Sequence, residues 1–174
     1  SSYAVMAGTE SIVEYINDLH FSENDVAYLR SLNLFDESFL SVLRGLHFTG
    51  EIYAMEEGTL VYPYAPLVRV IAPIMEAQLV ETALLNLVNH QTLIATKASR
   101  VCYAAKGDAV MEFGLRRAQG PDAGNYGARA AVVGGCCGTS NVLTGQLFNI
   151  PILGTHAHSW VMSFPTELDA FRAY

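Results

Sequence analysis

Beyond Gly107 the sequence alternates between two periodicities, and that alternation limits the fold more than any other feature. Ala109 to Phe113 is a short apolar run of strand type, residues 122–133 carry a helical pattern, and Gly135 to Cys137 is again short and apolar. Ser140 to Leu147 reads as a helix capped by its own serine, Ile150 to Leu153 as a third strand, and Thr166 to Tyr174 as a closing helix. Strand, helix, strand, helix and strand in that order predict parallel βαβ units and an α/β fold class.

Each predicted strand runs into a cluster of unusual composition. The clusters are Glu112-Phe113-Gly114-Leu115-Arg116-Arg117, Gly138-Thr139-Ser140-Asn141 and Gly154-Thr155-His156-Ala157-His158-Ser159. In a parallel sheet or barrel the segments that follow successive strands collect on one rim, where such folds place ligands, so the three are expected to meet. Arg116 and Arg117 present planar forks suited to carboxylate and phosphate oxygens; surface salt bridges are the alternative. Residues 138–141 offer hydroxyls and free N–H groups where a helix begins, which serves an anion, a polar ring or simple capping. The His-x-His pair is not expected to hold zinc, because no cysteine or carboxylate at short spacing completes a ligand set. It reads as a general acid or base, as a nucleophile accepting a phosphoryl group, or as two loop histidines bonded for structural reasons. His20, His47 and His90 have no companions. By residue type Phe113 and Tyr126 are core aromatics, and Cys136-Cys137 packs in a buried strand.

Upstream, Thr9 is positioned to cap a helix bearing Ile12, Val13, Ile16 and Leu19, and Ser22 to Asp25 resembles a capping box ahead of Val26, Leu29 and Leu32. Residues 9–44 are thus mainly helical. Glu51 to Met55, Leu60 to Tyr62 and Leu67 to Ala72 are β-prone runs between turn signals, predicting one small antiparallel sheet. Pro73 precedes a long helix with Leu79, Ala83, Leu87, His90 and Ile94 along one face and no Gly or Pro before Gly107.

Hydrophobic residues make up 51% of the 174, enough for a sizeable core in one ordinary domain or two small ones. The formal charge of −7 argues against non-specific nucleic-acid binding, so any anionic substrate needs a local cationic cluster. Three cysteines, two of them adjacent, are no disulfide framework and fit a reducing cytosol. No apolar run is long enough to span a bilayer, and residues 1–20 lack the pattern of a signal peptide. Ser1-Ser2-Tyr3 enters a structured pattern at once and Tyr174 closes one without a polar tail, as expected of an internal segment of a longer chain.

In combination, EFGLRRAQGPDAGNYG (112–127), GTSNVLTG (138–145) and IPILGTHAHSWVMSF (150–164) closely resemble the nicotinate phosphoribosyltransferases. YAVMAGTESIVEYI and FTGEIYAMEEGTLVYPYAPLVRVIAP look like the same family's sandwich domain, so the resemblance covers essentially the whole chain. It implies the type II phosphoribosyltransferase fold: an open-faced α/β sandwich with its long connecting helix (1–106), joined to the first part of an irregular α/β barrel (107–174). It implies an ATP-dependent enzyme of NAD biosynthesis that converts nicotinate and 5-phosphoribosyl 1-pyrophosphate to nicotinate mononucleotide and pyrophosphate, with Mg²⁺. A cytoplasmic homodimer with shared active sites is implied as well, and the isolated segment is expected to be inactive. By resemblance His158, at the end of the Gly-Thr-x-Ala-His pattern, is the histidine phosphorylated by ATP, and His156 holds the variable position. Thr155 contacts nicotinate, Phe113 stacks the pyridine ring, Arg116 serves the phosphate region, and Arg117 is a weaker transfer. Ser140 stands where nicotinamide-using relatives carry an aspartate, which would repel the nicotinate carboxylate. Nicotinamide or quinolinate phosphoribosyl transfer, and a silent nucleotide sensor, are the rival readings.

Overall fold

The computed structural model describes residues 3–174 of the chain; the expected entry at Ser1 and Ser2 lies outside them. The first described strand, β1 (Ala4–Val5), pairs antiparallel with β3 (Leu60–Val61), while β2 (Glu51–Ala54) pairs antiparallel with β4 (Val68–Ile71). The three β-prone runs therefore do not form one sheet. Leu60–Val61 takes its partner from the N-terminal segment, which carries too few residues to register as a periodic strand. The other edge of β1 is met by a helix: the Val5 N–H donates to Thr96 Oγ1 at 2.9 Å and the Ala7 N–H to Thr92 Oγ1 at 3.2 Å. Threonine hydroxyls thus satisfy buried backbone groups that no further strand covers.

The cap of helix α1 (Thr9–Asn17) lies one residue earlier than expected. Gly8 occupies the cap position at φ 103°, and Thr9 is drawn away, its hydroxyl donating to the Met55 carbonyl at 2.8 Å. A Cβ at Gly8 would lie 2.9 Å from the Leu87 carbonyl oxygen, so glycine answers both the left-handed backbone and the close approach. In α2 (Glu23–Ser31) the capping box is present in both directions, Ser22 accepting from the Asp25 N–H and Asp25 accepting from the Ser22 N–H. Val26 is buried with Leu40 and Leu43 of α3 (Glu37–Arg44), forming a small satellite core.

The organising element is α4 (Ile74–Ala104), 31 residues and about 46 Å long at 1.5 Å per residue. Its buried face is Val80, Leu84, Val88, Gln91, Thr92, Ala95, Thr96 and Ala98. That stripe is offset by one position, roughly 100° around the helix, from the one expected at Leu79, Ala83, Leu87, His90 and Ile94. The buried side includes Gln91, Thr92 and Thr96, polar residues that satisfy partners inside the protein, so apolarity alone misplaces the face. Lys106 (φ 52°) and Gly107 (φ 100°) then turn the chain out of the helix.

The C-terminal part returns onto α4 through α5 (Pro121–Val133), and Val5, Ala7, Ala95 and Ala130 form one core cluster across β1, α4 and α5. Three parallel segments follow the predicted order: β5 (Met111–Glu112), β6 (Gly138–Thr139), and a bridge from Thr139 to Ile152 in place of a full third strand. The chain is α/β. Helices α6 (Val142–Phe148), α7 (His158–Met162) and α8 (Glu167–Ala173) complete the described chain. Among the described residues no helix is long and apolar enough to cross a membrane.

Candidate active site

Parallel register is what brings the first two clusters together. Met111 lies opposite Gly138 and Glu112 opposite Thr139, with the Ser140 N–H continuing the ladder to the Glu112 carbonyl at 3.1 Å. On the far side of β6, the Thr139 N–H donates to the Pro151 carbonyl at 3.1 Å and the Leu153 N–H to the Thr139 carbonyl at 2.9 Å. The segments leaving all three strands therefore start side by side. Such close packing excludes a side chain at 138, where a Cβ would stand 2.6 Å from the Pro151 carbonyl oxygen.

The second strand sits three residues later than expected. Gly135 adopts φ 110° and Cys136 donates its N–H to the Ala131 carbonyl at 3.0 Å, so residues 135–136 close the end of α5 and are unable to extend. Cys136 packs with Ala98, Ala131 and Cys102; burial and the neighbouring Cys102 thiol push its own thiol up to about 12. Ser140 is likewise not the cap of the helix that follows. Asn141 is, its side chain accepting from the Thr144 N–H at 3.3 Å and donating to Asn125 Oδ1 at 2.9 Å. Ser140 stays exposed between buried Thr139 and Asn141, and its hydroxyl makes no hydrogen bond among the described residues.

After β5 the chain turns through a 3-10 segment, Leu115–Arg117, which displays Arg116 and Arg117 to solvent. Neither forms a salt bridge among the described residues, so the ion-pair alternative for them is not realised. Phe113 is 39% exposed and belongs to none of the core clusters, contrary to the reading of its type as a core aromatic. A flat ring, two free guanidinium groups and a free hydroxyl thus stand on neighbouring strand ends. They can stack an aromatic ring and hold anionic oxygens.

The third segment separates its two histidines. His156 is half-buried, its ring 5.3 Å from that of Phe171 in an edge arrangement and 4.8 Å from that of Tyr174. His158 opens α7 and is exposed, as is Thr155, and neither side chain has a hydrogen-bond partner among the described residues. No hydrogen bond joins this segment to Arg116, Arg117 or Ser140, and α7 packs instead on α8, where Trp160 donates to the Ala170 carbonyl at 3.1 Å.

One buried charged residue escaped the sequence reading. Arg129, on α5, is 6% exposed and donates to Glu57 at 3.0 and 2.7 Å, to Gln91 Oε1 at 3.1 Å and to Glu10 at 2.5 Å. Burial alone would lower the Arg129 pKa and raise that of Glu57. Their mutual hydrogen bonds, with the Gly8 N–H on Glu57, reverse both, leaving Arg129 raised and Glu57 lowered. In a helix of alanines and glycines a lone arginine reads as a solvent-facing residue; only its partners, 38 to 119 residues away, reveal it.

The sequence matches the nicotinate phosphoribosyltransferase (NAPRTase) N-terminal domain over residues 1–89 and the nicotinate phosphoribosyltransferase (NAPRTase) family over residues 109–171. It is 50% identical over its whole length to nicotinate phosphoribosyltransferase of Bacillus subtilis and 46% identical over 99% of its length to that of Mycobacterium tuberculosis. It spans 36% and 37% of those relatives' lengths. Human nicotinic acid phosphoribosyltransferase superposes with a TM-score of 0.85 at 39% identity, covering 94% of this chain and 33% of that one. Nicotinate-nucleotide pyrophosphorylase from Pyrococcus furiosus superposes at 0.76 and 26% identity, over 98% of this chain and 36% of that one. Both parts of the sequence lead to the same place, and the chain belongs to the nicotinate phosphoribosyltransferase family.

Proposed function

We propose that this chain is the part of a nicotinate phosphoribosyltransferase that carries the pyridine-binding strand ends and the phosphorylated histidine. In this reading residues 1–106 belong mainly to an open-faced sandwich and residues 107–174 begin an irregular α/β barrel. The left-handed turn at Lys106 and Gly107, which ends α4, supports that division. The whole enzyme joins nicotinate to 5-phosphoribosyl 1-pyrophosphate in NAD biosynthesis, works in the cytoplasm and pairs as a homodimer with shared sites. An apolar groove of about 800 Å³ between β4 and α4, with Leu85 and Leu93 exposed at its side, supports a covered face in the longer protein.

One observation carries the reading: within a chain of this family, the parallel register sets Phe113, Arg116, Arg117 and Ser140 on adjoining strand ends, the two guanidinium groups and the serine hydroxyl having no hydrogen-bond partner among the described residues. The pyridine ring stacks on Phe113 while its nitrogen attacks C1 of the ribose, and the C1–O bond to pyrophosphate breaks with its electron pair leaving on oxygen. Arg116, with Arg117 beside it, stabilises the charge that develops there. Thr155 and Ser140 meet the nicotinate carboxylate as hydroxyl donors, a role an acidic residue at 140 would oppose. A ring nitrogen of His158 takes the γ-phosphoryl group of ATP, releasing ADP. The added charge, about −2, draws cationic groups to the loop and tightens substrate capture.

Mg²⁺, arriving with ATP and 5-phosphoribosyl 1-pyrophosphate, would neutralise phosphate charge. The rim carboxylate, Glu112, already accepts from Thr139 and Gly114 and is no ready ligand for it. Full-length protein incubated with labelled ATP should yield an acid-labile phosphohistidine that disappears in His158→Ala and persists in His156→Ala. Label remaining on the His158 variant refutes that role. Turnover of nicotinamide or quinolinate but not nicotinate refutes the substrate, and binding of nicotinate mononucleotide without turnover favours a sensor.

A further inference from the structure

Among the described residues, the Glu112 carboxylate is the one charged side chain that ties the first strand end to the second. It accepts from Thr139 Oγ1 at 2.6 Å and from the Gly114 N–H, while its backbone carbonyl accepts from the Ser140 N–H. Thr139 passes the contact on, because its hydroxyl also accepts from the Asn141 N–H at 3.0 Å, and Asn141 holds both the start of α6 and Asn125 of α5. Thr139, Asn141 and Thr144 are buried, so this chain is shielded from water over most of its length. A Cβ at Gly114 would stand 2.6 Å from Glu112 Oε1, so a side chain there would have to displace the carboxylate oxygen that accepts the Gly114 N–H. Phe113 lies between Glu112 and Gly114, and Ser140 lies between Thr139 and Asn141. Two of the proposed substrate contacts, Phe113 and Ser140, are thus bracketed by residues of one network.

We infer that Glu112 is a positioning residue for the pyridine site, fixing Phe113 through Gly114 and Ser140 through Thr139 by accepting two hydrogen bonds at once. The ionised carboxylate offers one acceptor oxygen to each donor, Oε2 to the Thr139 hydroxyl and Oε1 to the Gly114 N–H. An amide in its place keeps one bond and turns an NH₂ group toward the other partner. The inference rests on the functional reading above and names the group that sets its geometry.

The test uses the full-length protein with Glu112→Gln, Thr139→Val, Thr139→Ser and the Glu112→Gln/Thr139→Val pair. Losing a hydrogen bond to a charged group is expected to raise the KM for nicotinate about tenfold, with a smaller fall in kcat. Thr139→Ser, which keeps the hydroxyl, should restore wild-type kinetics, and the double variant should be no worse than the weaker single one. Amide hydrogen exchange at Gly114 and Asn141 should quicken in Glu112→Gln. If wild type turns over nicotinate while Glu112→Gln and Thr139→Val keep its kinetics, the positioning role is overturned and the enzyme assignment stands. If wild type has no turnover, the functional reading fails, and unchanged exchange at Gly114 and Asn141 overturns the lock itself. Thr139→Ser behaving like Thr139→Val would also refute it, by reducing the effect to packing.

Discussion

Replacing Arg129 by methionine should destabilise the protein by about 3–5 kcal/mol, the usual cost of leaving a buried carboxylate without its cation. The contacts apportion that cost. The Glu10 side chain is 73% exposed, and its arm of the network is worth below about 1 kcal/mol in solvent. The Glu57 side chain is 15% exposed, receives both guanidinium nitrogens and also accepts the Gly8 N–H at 2.6 Å, so its charge has nowhere to go when the arginine is removed. Glu10→Gln should therefore be nearly silent, while Glu57→Gln falls between it and Arg129→Met.

The pH dependence separates this account from simple loss of packing. In wild type the folded-state pKa of Glu57 is held below its ordinary 4.5, so the pair stabilises the protein above that value and stops doing so as pH falls through the folded pKa. In Arg129→Met burial and the backbone N–H groups of Gly8 and Thr9 remain; burial, the largest of these, pushes the carboxyl up, and taking on a proton relieves the variant as pH drops. The gap in stability should be widest near neutral pH and narrow steadily below about pH 5. Urea denaturation of the full-length wild type and variants at several pH values reads this directly, as shifts in midpoint at constant slope. A gap that is independent of pH, or Glu10→Gln costing more than Glu57→Gln, would refute the assignment of the cost to a stranded Glu57.

Two further outcomes follow from packing. Gly134→Ala should cost about 1–3 kcal/mol and loosen the α4–α5 contact, since its Cβ would stand 2.4 Å from the Ala95 carbonyl oxygen and 2.7 Å from the Ala98 Cβ; an unchanged urea midpoint would contradict this. Iodoacetamide at pH 8 should label exposed Cys137 well before buried Cys136, whose thiol is pushed up to about 12, and mass spectrometry showing Cys136 modified first would refute the burial argument.

What the sequence reveals is whatever one segment carries by itself. The capping box at Ser22 and Asp25, the helix over residues 122–133, and the strand–helix–strand order after Gly107 all appear as expected, because their causes lie within a few residues. The misplacements share the opposite property. Thr9 gives up its cap to bond Met55, Leu60–Val61 pairs with Ala4–Val5, and the buried face of α4 is set by Thr92, Thr96 and Gln91 meeting β1, Ser11 and Arg129. In each, a polar group is satisfied by a partner distant in sequence, and periodicity counts that group as surface.

The same distinction divides the candidate site. Phe113, Arg116 and Ser140 stood out because an exposed strand-end cluster is unusual in composition, but composition does not say which neighbour holds it in place. Serine at a helix start ordinarily caps it, and on sequence alone Ser140 takes that place. With Asn141 taking that duty, the serine hydroxyl is uncommitted, a better state for a ligand contact than the sequence reading allowed. Glu112 and Arg129 make the complementary case. Both are committed to hydrogen bonds inside the protein, one across the strand ends and the other across α1, the β2–β3 turn, α4 and α5. A charged residue consumed by internal partners orients the groups around it, whereas one left without partners, as Arg116 and Arg117 are here, remains free to meet an anionic substrate.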